Sequence, residues 1–191
     1  MVASRRSYAS YDEIEDVLAT TDLLALVAPR LADQPALWKW AIIAAQNGLQ
    51  GAIVCALHDS LGVSVLDKKS QRAVLKWHDA RKGQRPKAKL ADFLTLLDRY
   101  CKENPAIRQR ITRQQVRDIR RLHTEFRNGF EHFQPEGWSI EKAGLPRIIR
   151  TALEGIELAM NHEKVVNSKE HEPIPRQIKH KGHRARLSAP R

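Results

Sequence analysis

The sequence predicts an all-α protein: a bundle of about five helices with a long basic loop and a disordered, basic C-terminal tail. Three observations predict it. Apolar residues recur at spacings of three and four through most of the chain, the period of a helix with one buried face. One stretch, about Pro35 to His58, is apolar almost all round, as suits the central helix of a bundle. No segment alternates apolar and polar residues as a half-buried strand does, and no internal repeat is present.

The first helix is expected over Tyr11 to Ala28. Asp12, Glu13, Glu15 and Asp16 sit at its start, where negative charge meets the positive end of the helix dipole. Ile14, Val17, Leu18 and Leu24 form its stripe, and Pro29 ends it. The second helix runs from about Pro35 to His58, with Gln46, Asn47 and Gln50 set into an otherwise apolar surface. Gly62 to Ala88 is a long basic connection carrying a short helix, Ser70 to His78. A third helix, about Leu90 to Lys102, puts Leu90, Phe93, Leu94, Leu97 and Tyr100 on one face before Asn104-Pro105 breaks it. The fourth, about Thr112 to Phe133, carries Ile119, Leu122, Phe126, Phe130 and Phe133 at spacings of three and four, the seam of a packed helix pair. Pro135-Glu136-Gly137 stops it. A fifth, about Lys142 to His162, buries Ile148, Ile149, Leu153, Ile156 and Met160. These elements divide the chain into a helical domain, 1–162, and a tail, 163–191, whose prolines, lysines, arginines and histidines carry no apolar period.

The totals bound the function. At 191 residues the chain fits one domain, and an apolar fraction of 42% supports a core. A net charge of +11 and a pI near 10.0 point to polyanionic partners, nucleic acid first. Cys55 and Cys101 are too few for a disulfide framework or a zinc site, and Cys55 reads as a buried, reduced thiol. Met1 to Tyr11 has no apolar core of the kind a signal peptide needs. Gln46, Asn47, Gln50, His58 and Asp59 are too polar a load for a membrane span. The expectation is a soluble, cytoplasmic protein without membrane contact.

The run Arg127-Asn128-Gly129-Phe130-Glu131-His132 is the most informative segment. On a helix, Asn128 and His132 share a face, and the long Arg127 side chain can reach round to them. Arginine stays charged and can hold two phosphate oxygens at once, while histidine titrates nearest neutrality. RNA cleavage without a metal needs a base for the 2′-hydroxyl, an acid for the leaving 5′-oxygen, and positive charge for the phosphorane-like transition state. The run supplies one histidine, so two copies on a two-fold axis would supply both proton-transfer groups. Gly129 costs about 1 kcal/mol in a helix relative to alanine. Close approach of another backbone or a substrate would explain it, and so would drift at an unimportant position. Ordinary structural roles exist for the same residues. An Arg–His interval of five is common in basic helices, His132 can interact with the helix dipole as a terminal cation, and Arg127 with Glu131 can form a surface ion pair.

The whole run, from Phe126 to Phe133, resembles the catalytic helix of the HEPN family of ribonucleases, in its Arg-x4-His form with Asn directly after the Arg. Its place on the penultimate helix also matches, and Trp38 to Leu57 is similar to that family's central helix. The resemblance implies a HEPN-like bundle over about residues 11–162. It implies a homodimeric, metal-independent endoribonuclease that leaves a 2′,3′-cyclic phosphate, with Arg127 and His132 catalytic and Asn128 a polar helper. No cofactor and no metal are implied. A toxin or antiviral defence effector, restrained by an antitoxin or regulatory protein, fits that family. So does a non-catalytic RNA- or protein-binding module, since fold resemblance does not establish activity.

Positive charge is concentrated in three places. Lys68 to Lys89 holds nine Lys/Arg against one acid, Asp79, with Lys76, Trp77 and His78 interleaved; an indole can stack on an unpaired base. Arg113, Arg117, Arg120 and Arg121 form a stripe ahead of the motif, where a phosphate backbone could run. The tail from Glu163 adds eight basic residues against three acids. Solvated loops are the plain alternative for all three, and a satellite apolar contact the alternative for Trp77. Tyr11 to Asp33 is net acidic and is expected to lie away from substrate. Gln46 and Gln50 either face the active cleft or hydrogen-bond a neighbouring helix, because a buried amide without a partner costs roughly 1–3 kcal/mol. His123 shares the motif helix but stands nine residues from His132, which points it to another face. No histidine is spaced with cysteines or carboxylates as a metal ligand.

Overall fold

The computed structural model describes residues 12–132 and 137–166 of the chain, and among them the regular structure is all helical, with no strand beyond an isolated antiparallel bridge between Leu66 and Leu90. The helices are α1 (Glu13–Val27), α2 (Trp38–Leu57), α3 (Lys68–Ala80), α4 (Phe93–Glu103), α5 (Pro105–Arg110), α6 (Arg113–Arg121), α7 (Asn128–Glu131), α8 (Leu145–Met160) and α9 (Glu163–Val166). Leu122–Arg127 joins α6 to α7 as a π-helical turn, so the three make one long, locally widened helix.

α2 is the axis of the bundle. It packs against α1, α4, α8, α9 and the π turn, and Ala41, Ile42, Ala45, Leu49, Ala52, Ile53 and Leu57 are all buried. Small residues allow the closest crossings. A Cβ on Gly51 would lie 2.8 Å from Val17 of α1, and one on Gly48 2.8 Å from Thr20 of α1 and 3.0 Å from Ile156 of α8. With the turn that precedes it, Pro35–Leu57 is long and apolar enough to cross a membrane, yet 67% of its most apolar window is buried inside the bundle. Cys55 on this helix is half-buried, and burial, reinforced by Glu13, Asp12 and Asp16, pushes its thiol up to about 12, a poor nucleophile.

The acidic start of α1 is a working N-cap, with the Asp12 carboxylate accepting from the Glu15 amide at 2.7 Å. The helix in the basic connection is longer than Ser70–His78, because Asp67 caps it two residues earlier by accepting from the Ser70 amide. Asn104-Pro105 breaks the third helix as expected, but a further short helix starts there, since proline suits the first helical position. Thr112 and Gln115 form a reciprocal capping box that starts α6. Two cross-links fasten α6 to α8: Gln115 donates to Glu154 at 2.9 Å, and Arg147 pairs at 3.0 Å with Asp118, whose side chain is almost fully buried. The packed body runs on to Val166, since Val165 is buried and α9 lies on α2. Phe133 and the Pro135-Glu136 stop lie outside the described residues, as does the tail from Asn167 onward.

Candidate functional site

The π turn decides how the motif is presented. In it the Asn128 amide donates to the His123 carbonyl five residues back, as well as to Glu125. Such turns replace the tighter α bond and recur at functional sites. Leu122 and Phe126 take the core side and are buried, as is Ile119 before them, while Phe130 is only half-buried. His123, Arg127 and Glu131 follow at intervals of four and gather on one side of the helix.

Arg127 is held at both ends of its guanidinium. Nη2 meets the Glu131 carboxylate at 2.6 Å and Nη1 donates to Asn128 Oδ1 at 3.0 Å. Nε is sealed from solvent with no hydrogen-bond partner among the described residues. The ion pair that the i, i+4 spacing allows is therefore formed, half-buried, with side-chain exposures of 26% and 32%. Arg127 does reach round to Asn128. The structure does not bring His132 to either of them through its side chain. Its backbone amide closes the helix on the Asn128 carbonyl at 2.9 Å, and φ −106°, ψ 45° takes it out of the helix as the C-cap. Its imidazole is exposed and makes no hydrogen bond or ion pair among the described residues.

Gly129 has a definite packing reason. A Cβ there would stand 2.9 Å from Cη2 of Trp138, whose ring also meets Phe130 edge-on at 4.9 Å. The close neighbour is an indole from the segment leading to α8, rather than a backbone.

His123 is a residue that motif spacing alone passes over. Its ring lies against Phe93 of α4 at 4.9 Å, and Nδ1 is buried without a hydrogen-bond partner among the described residues. Burial first, and the Arg127 charge second, hold its pKa below the usual histidine value. The interval that could have revealed it is the four residues to Arg127, not the nine to His132.

The arginine stripe is partly neutralised. Arg120 pairs with Asp98 at 2.9 Å, and Arg121 binds Glu125 through two nitrogens at 2.8 and 3.0 Å. Arg117 donates to Gln114 at 2.6 Å, and Arg113 is exposed. Of the four, Arg113 and Arg117 keep charge unmatched by an ion pair among the described residues. Trp77 spends its indole N–H on the Gly83 carbonyl at 2.9 Å, which folds the loop after α3, while Lys76 stays exposed. Gln46 is fully buried and neither amide atom has a partner among the described residues, so of its two expected roles the bond to a neighbouring helix is not made there. Gln50 lines a groove of about 560 Å³ with Asp12, Glu13, Asp16, Asn47 and Val54, a site that includes no motif residue. No three His, Cys, Asp or Glu side chains converge to hold a metal among the described residues. No protein-family model, no curated protein and no solved structure matches the chain.

Proposed function

We propose that the chain is a metal-independent endoribonuclease of the HEPN type, working as a homodimer with the scissile phosphate in a shared cleft. The observation that carries this reading is the hydrogen bond between Arg127 and Asn128 at the end of a helix whose C-cap is an open histidine. Arg127 receives the phosphate. A phosphate can take two guanidinium N–H groups at once with more charge than one carboxylate, so it competes with Glu131 for Arg127. Asn128, whose Oδ1 is taken by Arg127, keeps its amide N–H groups for substrate oxygens. The attacking 2′-oxygen loses its proton to one histidine, forms the new bond to phosphorus, and the 5′-oxygen leaves with a proton from the other. His132 from each subunit supplies the two groups. The products are a 2′,3′-cyclic phosphate and a 5′-hydroxyl. A toxin or defence role, restrained by an antitoxin or regulatory protein, belongs to the same reading, as does a cytoplasmic setting where RNA is met.

The test is digestion of a mixed RNA pool in EDTA, with analysis of the 3′ ends. Wild type should leave cyclic phosphates. His132→Ala should lose about 10²–10⁴-fold in rate, the usual worth of a general acid or base, with folding and dimerisation intact. Full cleavage by a clean preparation of that variant would remove His132 from the mechanism.

One observation favours a second reading, a non-catalytic RNA- or protein-binding module: Arg127 already has an anionic partner in Glu131. Arg127→Ala separates the two. It abolishes cleavage under the first and only modestly weakens binding under the second.

A further inference from the structure

Beside the motif, on the face that Trp138 covers, lies a cavity of about 260 Å³ between the π turn and the start of α8. Its walls include Arg121, Glu125, Phe126, Trp138, Glu141 and Ile148. A nucleobase is of the size this space admits. The Trp138 ring is held in place, since it rests against Gly129 and meets Phe130 edge-on. At 37% exposure it is among the most solvent-reachable aromatic rings of the described residues. The opposite end is fixed too, with Arg121 clamped by two bonds to Glu125 and stacked over Phe126 at 5.3 Å.

The charge of the cavity discriminates among ligands. Arg121 and Glu125 cancel, and the Glu141 carboxylate, exposed and without a hydrogen bond among the described residues, leaves a net negative lining. A phosphate is repelled from it, whereas a flat ring carrying N–H donors is welcome. Guanine presents two adjacent donors, N1–H and the N2 amino group, which match the two oxygens of one carboxylate, a pairing stronger than neutral hydrogen bonds. Uracil has one ring donor, and adenine and cytosine offer an amino group beside an acceptor.

We propose that this cavity is the nucleobase subsite of the enzyme, with Trp138 the stacking platform and Glu141 the acceptor that selects guanine. The proposal rests on the ribonuclease reading for its substrate: Trp138 touches Gly129, next to Asn128 and three residues before His132, so a base seated there lies beside the end of the helix that carries the motif.

Two measurements on the full chain test it together: mapping of cleavage sites in the mixed RNA pool, and calorimetric titration with 3′-GMP, 3′-AMP, 3′-CMP, 3′-UMP and 3′-IMP. Wild type is expected to cut next to guanines and to bind 3′-GMP about tenfold or more tightly than the other nucleotides, the scale of one good base contact. Trp138→Ala should lose about tenfold or more in 3′-GMP affinity, as loss of base stacking does, and Trp138→Phe should keep most of it. Glu141→Gln, a surface change that leaves the packing alone, should bring 3′-GMP down to the affinity of 3′-IMP, which lacks the N2 amino group. Binding of 3′-GMP through Trp138 without any RNA cleavage would uphold the subsite and overturn the ribonuclease reading. Cleavage without base preference, or wild-type 3′-GMP affinity in both Trp138→Ala and Glu141→Gln, would overturn the subsite and leave the ribonuclease standing. Tight 3′-GMP binding with cleavage blind to guanine would overturn it as a substrate subsite, pointing to a free nucleotide as the ligand.

Discussion

The three nitrogens of Arg127 meet different fates: one on Glu131, one on Asn128, one sealed and unpaired among the described residues. Such a guanidinium is oriented in advance, which lowers the entropic cost of seating an anion on it. Next to it, His123 is disposed to be neutral. Burial and the Arg127 charge both disfavour the imidazolium, so the folded-state pKa lies below the unfolded one. The unfolded chain therefore binds the extra proton first. Stability is complete above the unfolded value of about 6.5 and is lost as the pH falls below it, down through the lowered folded value. Urea melts at about pH 7.5 and about pH 5.5 should show a larger drop in wild type than in His123→Gln. Equal drops would mean that His123 does not carry the linkage. At this scale the sequence was legible where a residue's neighbours are its own helix mates. Arg127, Asn128 and Glu131 touch through intervals of one and four. Trp138 on Gly129 was not legible, because no spacing rule foretells a contact made across a loop.

At the scale of elements, α1, α2, α4 and α8 were legible because burial of one face writes itself into the apolar period. The π turn was not. Ile119, Leu122, Phe126 and Phe130 fit an α-helix equally well, and widening leaves their spacing of three and four unchanged. Nor does a break at Asn104-Pro105 reveal that proline also opens α5. The end of the motif helix invites a direct experiment. Gly129→Ala gains up to about 1 kcal/mol of helix propensity, and its Cβ must push the Trp138 ring aside. That ring is partly exposed and can swing outward, so the two effects should offset to within about 1 kcal/mol of stability. The position of Trp138 should nevertheless be lost. Tryptophan emission is expected to shift and 3′-GMP affinity to fall by about tenfold. Unchanged emission and affinity would mean that the ring does not depend on the glycine for its seat.

For the whole molecule, the all-helical class followed from periodicity, and the surface charge followed from composition, but not its partition. Composition cannot say that Arg120 and Arg121 are matched by Asp98 and Glu125 while Arg113 and Arg117 are not. Under the proposed ribonuclease mechanism the cleft is shared, which makes the assembly itself measurable. Sedimentation should give twice the chain mass of 21.8 kDa, and specific activity should fall on dilution in step with the loss of that species. Full activity in a monomer would place both proton-transfer groups within one chain. The π turn carries a last consequence, one of chain length rather than side-chain identity. It accommodates one residue more than an α-helix would between the buried Leu122 and the motif. Deleting Thr124, an exposed residue of that turn, would restore a regular helix with Asn128 still on its face, whereas deleting one residue from the regular helix before it would swing everything beyond by about 100°. The widened turn is therefore where the motif helix can lose a residue and still present the same face, while the same loss in α6 would turn the motif away from it.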